Sequence, residues 1–154
     1  MQVQALDPHS EAALSLLAQS DAYMAALYPA DSNHLESPQA LAQPRTHFIG
    51  VWLAEWLAAC GAVKVVQDEH GTYGEIKRVF VKQQFRGRGL SKVLMEQLES
   101  HLRAKGIELV RLETGVHQPE ALKLYEGLGY DRIAPFGPYT DDPLSVFMEK
   151  RLNA

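Results

Sequence analysis

Gln84-Phe85-Arg86-Gly87-Arg88-Gly89 decides how this 154-residue chain is read. On its N-terminal side, residues 73–81 alternate as a strand does. On its C-terminal side, Leu90, Val93, Leu94, Leu98 and Leu102 recur at helical spacing and share one face. The stretch is therefore a strand-to-helix turn carrying two glycines and two arginines. Glycines permit positive φ and let backbone amides approach a ligand closely. A helix N-terminus adds unpaired N–H donors and a dipole that favours an anion. Arg86 and Arg88 add charge, and Ser91 adds a hydroxyl. Together these features predict a cradle for a diphosphate, although the same residues also suit an ordinary strand-to-helix turn. It is not a Walker A loop, because no Gly-Lys-Ser/Thr follows at the required spacing. It is not a dinucleotide fingerprint, because the position of the third glycine holds Lys92.

Outward from the turn, the pattern predicts a strand at 2–6, then one or two helices from Ser10 to about Tyr28. A polar, proline-bearing loop covers 29–44, with a helical turn near 38–42. Strands follow at 47–53, 56–66 and 73–81. In the last, strict alternation puts Ile76, Arg78 and Phe80 on one face and Glu75, Lys77, Val79 and Val81 on the other, unless a β-bulge intervenes. After the glycine turn come a helix to about Lys105, a strand at 107–113, and a helix opened by Pro119 and stopped at Gly129. Strands at 130–134 and 145–150 close the chain. This order predicts one α/β domain of the α+β type over 1–154: a single mixed, mostly antiparallel sheet flanked by helices, and not a doubly wound one.

Composition narrows the function classes. Fifteen basic against nineteen acidic residues give a net charge of −4, which argues against nucleic acid as a partner. The most apolar stretch, 51–66, is broken by Glu55, Gly61 and Lys64, so no membrane span is expected. No signal peptide is visible at the start, which leaves a cytoplasmic location as the default expectation. The single cysteine, Cys60, lies in an apolar run and is expected to be a buried thiol. The six histidines are scattered without ligand spacing, so no metal site is expected.

Gln84-x-x-Gly87-x-Gly89 resembles the Gln/Arg-x-x-Gly-x-Gly/Ala motif of the GNAT family of N-acetyltransferases. Ala121-Leu122-Lys123-Leu124-Tyr125, with Gly129-Tyr130 behind it, is similar to that family's second signature. The likeness is strong over about 73–152 and rests on element order before that. It implies acetyl-CoA as co-substrate, with a splayed parallel strand pair, 73–81 and 107–115, admitting the pantetheine arm. It assigns cofactor contacts to Phe80, Val81, Arg86, Gly87, Arg88, Gly89, Leu90 and Ser91, with Thr114 at the second strand's end. Gln118 stands where the family often carries Asn.

The resemblance also places the phenol of Tyr125 near the thioester sulfur as general acid; as a plain residue, Tyr125 also fits a core aromatic. Glu75, on the strand before the cradle, is the expected base, or else a paired surface carboxylate. The loops around Tyr28-Pro29-Ala30-Asp31-Ser32-Asn33-His34 and Phe136 to Pro143 are expected to frame an acceptor pocket with Tyr28, Ser32, His34 and Tyr139 in it. Asp31, Asp141 and Asp142 would suit a cationic amine. The implied activity is acetyl transfer to a primary amine of a small molecule or amino acid. A protein or peptide N-acetyltransferase and a non-catalytic CoA-binding module are the alternatives. A homodimer is compatible with a domain of this size, and no residue pattern specifies it.

Overall fold

The computed structural model describes residues 1–152; the last two residues of the expected 1–154 domain lie outside the described residues. Seven strands form one sheet. They are β1 (Gln2–Ala5), β2 (Thr46–Leu53), β3 (Trp56–Asp68), β4 (Gly71–Val81), β5 (Leu109–Gly115), β6 (Asp131–Ile133) and β7 (Ser145–Arg151). Their order across the sheet is β1-β2-β3-β4-β5-β7-β6. Every neighbouring pair is antiparallel except β4 and β5, which are parallel. The mixed, mostly antiparallel sheet anticipated from the sequence is what the chain builds.

Helices cover both faces. α1 (Glu11–Leu27) starts at Ser10, whose hydroxyl accepts from the Ala13 N–H at 3.3 Å. Such a cap contributes about 1 kcal/mol. Ala13, Leu16 and Leu17 of α1, with Leu41 at the end of the short α2 (Pro38–Leu41), pack against Phe48, Cys60, Ala62 and Phe80. On the opposite face, α3 (Leu90–Ala104) buries Leu90, Leu94, Met95, Leu98 and Leu102 against Ile49, Val63, Ile76 and Val110. The i, i+4, i+8, i+12 spacing of its leucines is what turns one stripe of α3 to the sheet. α4 (Pro119–Gly127) packs on the same side through Leu122, Leu124 and Tyr125. Tyr130 seals that layer, its hydroxyl donating to the buried Glu99 of α3 at 2.8 Å. Cys60, in the middle of β3, is fully buried, and burial pushes its thiol up to about 12.

One reading of the sequence needs correction. Strict alternation along β4 fails at Arg78. Cys60 pairs with Phe80 and Ala62 with Lys77, so Gly61 faces both Arg78 and Val79. Arg78 takes φ +60°, the left-handed region, and absorbs the extra residue. Beyond this bulge the faces exchange. Val79 and Val81 join Ile76 toward α3, while Phe80 joins Cys60 and Ala62 toward α1. Arg78 also points to α1, where it reaches Asp21.

Candidate active site

The bulge has a consequence for the sheet. β4 and β5 are bonded only where Gly74–Ile76 meet Val110–Leu112. From there β4 continues beside β3 to Val81, and β5 beside β7 to Gly115. Among the described residues the facing edges of 77–81 and 113–115 are without a ladder partner, and they enclose a wedge. A bulge adds local twist and bends its strand, which is how the two strands part.

Two cavities meet at this wedge. A groove of about 600 Å³ runs between the glycine turn and α4. Gly87 and Gly89 take φ +80° and +76°, and beyond its chain neighbours no described residue places an atom within 4 Å of where a Cβ would stand on either. Gly89 is the N-cap of α3 and no side chain caps that helix, so its first-turn amides are left for a ligand in the groove. The groove is lined by Phe80, Val81, Arg86, Gly87, Gly89, Leu90, Ser91 and Gln118 among others. Arg86 is held over the rings of Tyr23 and Phe80 and donates to the Val81 carbonyl at 3.3 Å. Two expected cofactor residues fall elsewhere. Arg88 stacks over Phe85 and is not in the lining; Thr114 lines the second cavity instead.

The second cavity is a cleft of about 90 Å³ on the α1 side of the wedge. Tyr28, Ser32 and His34 line it. Its two rims are laced together. Ser32 donates to Asp142 at 2.7 Å, and His34 meets the edge of Tyr139. Lys77, buried on β4, donates to the Tyr139 hydroxyl at 2.8 Å and the His34 carbonyl at 3.1 Å. It also faces Glu75 at 3.5 Å and Glu36 at 3.8 Å. Tyr139 in turn donates to Glu75 at 2.6 Å. Tyr139 and Glu75 are thus the lacing behind the cleft, and neither is in its lining. Asp142 is spent on the same lacing.

The carboxylate that does line the cleft is Glu113 at the parting end of β5. Ser145 donates to it at 2.8 Å. Burial nevertheless raises its carboxyl to about 7. Sequence inspection gave Glu113 no role. The available signal was its place in β5, two residues from the strand's end and on the face shared with Glu75 and Lys77. Tyr125, on α4, lines both cavities and is itself buried; burial first, and Glu113 second, push its phenol up to about 12. Tyr23, Val79, Phe80 and Gln118 complete the shared wall.

Tyr28 braces that wall. Its hydroxyl accepts from the His117 N–H at 3.0 Å and donates to Gln118 Oε1 at 3.1 Å. The ring fits because residue 115 has no side chain: a Cβ there would overlap the phenol. Gly115→Ala is therefore expected to expel Tyr28 and lower the melting temperature, and to weaken about tenfold, by titration calorimetry, the coenzyme A binding that the sequence resemblance implies. Tyr28→Phe, which removes only the hydroxyl, should reproduce the loss of binding with a smaller loss of stability.

Comparison with known proteins agrees with this geometry. Residues 13–130 match the model of the acetyltransferase (GNAT) family. The chain is 42% identical over 145 residues to an IAA acetyltransferase of Azospirillum brasilense, covering 94% of each protein. A solved structure from Klebsiella pneumoniae, described as an acyl-CoA N-acyltransferase, superposes with a TM-score of 0.80 at 35% identity, covering 99% of this chain and 97% of that one. The PaiA N-acetyltransferase of Thermoplasma acidophilum, solved with coenzyme A, shares the fold at 15% identity, with a TM-score of 0.73 and coverage of 97% and 98%. A glycine turn at an uncapped helix, a wedge between parallel strands and a tyrosine between two cavities are thus found in a chain that belongs to the acetyltransferase (GNAT) family.

Proposed function

We propose that this protein transfers the acetyl group of acetyl-CoA to the primary amine of a small molecule or amino acid by direct attack on the thioester. The observation that carries this reading is the position of Tyr125 in the wall common to groove and cleft, with Glu113 on the cleft side. The groove suits the cofactor. The uncapped amides of α3, with Arg86 and Ser91 nearby, receive the diphosphate. The unpaired edge of 77–81 offers backbone groups to the pantetheine amides, and Gln118 offers its own amide.

An acceptor amine arrives mostly as an ammonium ion and must lose a proton before it can attack. Glu113, with a carboxyl raised to about 7, is ionised in about half of the molecules at neutral pH and is basic enough to take that proton. The amine nitrogen then bonds to the thioester carbon and the C–S bond breaks. Tyr125 donates to the departing sulfur, whose thiolate is disfavoured by the same burial that raises the phenol. The nitrogen's second proton, lost as the amide forms, replaces the one the phenol gave to sulfur, and the proton on Glu113 returns to solvent. Glu75, the base anticipated from the strand motif, has another part in this reading: with Tyr139 it fixes Lys77 and the rims of the cleft.

A cleft of about 90 Å³ with laced rims favours a compact acceptor over a peptide. The name of the Azospirillum relative is in keeping with a small molecule. The test is titration with acetyl-CoA, followed by an amine panel read by thiol release. Tyr125→Phe should lower kcat about 10²-fold with the dissociation constant for coenzyme A within threefold of the wild type. Binding without transfer to any amine would leave a non-catalytic CoA-binding module. Robust transfer to peptides alone would favour the protein-directed alternative.

A further inference from the structure

Arg78 stands where arginine is an expensive choice. Its φ of +60° belongs to the region that glycine enters freely and a side chain enters at a cost. The side chain is 2% exposed. Nη1 donates to Asp21 at 2.7 Å, which anchors α1 to the bulge. Nε is buried and has no hydrogen-bond partner among the described residues. A guanidinium has five N–H donors in a planar fork, and leaving one of them buried and unmet is unfavourable. Anchoring α1 accounts for Nη1 and leaves Nε unexplained.

The residue lines the same cleft as Glu113. Lys77, the other cation there, is committed to Tyr139, His34, Glu75 and Glu36. Arg78 is therefore the cation of the cleft with donors to spare. Asp21, its one side-chain partner among the described residues, has a side chain 56% exposed, free to follow a small turn of the guanidinium toward a ligand.

We propose that Arg78 binds a carboxylate carried by the acceptor, so that the acceptor is an amino acid or a similar zwitterion and not a simple alkyl amine. This rests on the acetyltransferase reading above. The two oxygens of a carboxylate match the guanidinium fork, and lysine cannot offer the same planar pair of donors. Glu113 takes the ammonium end of the molecule and Arg78 the carboxylate end. A cleft of about 90 Å³ suits the short distance between those ends in an α-amino acid.

The experiment compares each acid with its decarboxylated partner: alanine with ethylamine, leucine with isoamylamine, phenylalanine with phenethylamine. The wild type should favour the acid in at least one pair by tenfold or more in kcat/KM. Arg78→Gly, which suits the left-handed backbone and so preserves the bulge, should erase that ratio by raising KM for the acid alone. Arg78→Lys should recover little of it. Asp21→Asn, which removes the charge of the anchoring partner and keeps the guanidinium, should leave the ratio within twofold. Equal losses on acid and amine in Arg78→Gly, a matching loss in Asp21→Asn, or no acid preference in the wild type would overturn the proposal. Calorimetric titration of the same acids and amines into the protein saturated with coenzyme A separates the two readings. Acid binding that vanishes in Arg78→Gly, without transfer to any amine, overturns the acetyltransferase reading and leaves the carboxylate site standing. Transfer without acid preference overturns the carboxylate site alone, and binding of neither member of any pair also overturns it.

Discussion

Replacing Glu113 by Gln is expected to slow acetyl transfer about 10²–10⁴-fold and, at pH 8, to make the protein harder to unfold. Both effects come from one carboxyl. Its value in the folded protein is raised from 4.5 to about 7 by burial. The folded state therefore holds this proton more tightly than the unfolded chain does. As pH rises through 4.5, the unfolded chain ionises freely while the folded one resists, and stability falls. The loss is complete above about 7, where it amounts to roughly 3 kcal/mol. Gln keeps the shape and the bond from Ser145 and carries no charge, so the penalty disappears. The melting temperature of the variant should exceed that of the wild type at pH 8 and equal it near pH 4. Wild-type kcat/KM should rise through a single ionisation near 7, and the residual rate of the variant should lack that rise. An unchanged rate, or an unchanged profile, would remove Glu113 from the reaction.

Gly89→Asp is expected to weaken acetyl-CoA binding at least about 100-fold. The left-handed φ of +76° strains any side chain at this position, at about 1–2 kcal/mol. Strain alone would mainly lower stability. The carboxylate adds a negative charge at the uncapped start of α3, where the same amides and dipole are offered to the diphosphate. Losing two charge-assisted hydrogen bonds accounts for the factor. Gly89→Ala carries the strain without the charge. It should lower the melting temperature comparably and weaken binding far less. Equal binding in Gly89→Asp and the wild type, by titration calorimetry, would mean that the turn holds no diphosphate.

What the sequence disclosed was local. The glycine turn, α3 and the Tyr125 signature are each written in consecutive residues, and helical spacing or a positive-φ glycine announces them. The hairpin of β2 and β3 was legible from its two-residue turn, whereas the seat of β7 between β5 and β6 was not, since it reverses the order of the chain. What stayed hidden depends on contacts between distant residues or on one backbone torsion. The left-handed turn at Arg78 has no sequence marker, since arginine is not the residue one looks for there, and it exchanges the faces of 79–81. Tyr28 reaches Gln118 across 90 residues and Tyr139 reaches Glu75 across 64. Neither link leaves a periodic trace. Glu75 and Glu113 share a sheet face, and only the parting of β4 and β5 decides which of them opens to the cleft.

The burial of Cys60 in the middle of β3 has a practical side. It is the chain's single cysteine, and at neutral pH a thiol raised to about 12 is almost wholly protonated and unreactive. A chromogenic disulfide reagent added to the working enzyme will therefore register coenzyme A released by turnover and nothing from the protein. The same reagent added under denaturing conditions will titrate one equivalent per chain. The strand interior that silences this sulfur makes it an internal standard for total chain concentration and a label-free gauge of how often the sheet opens.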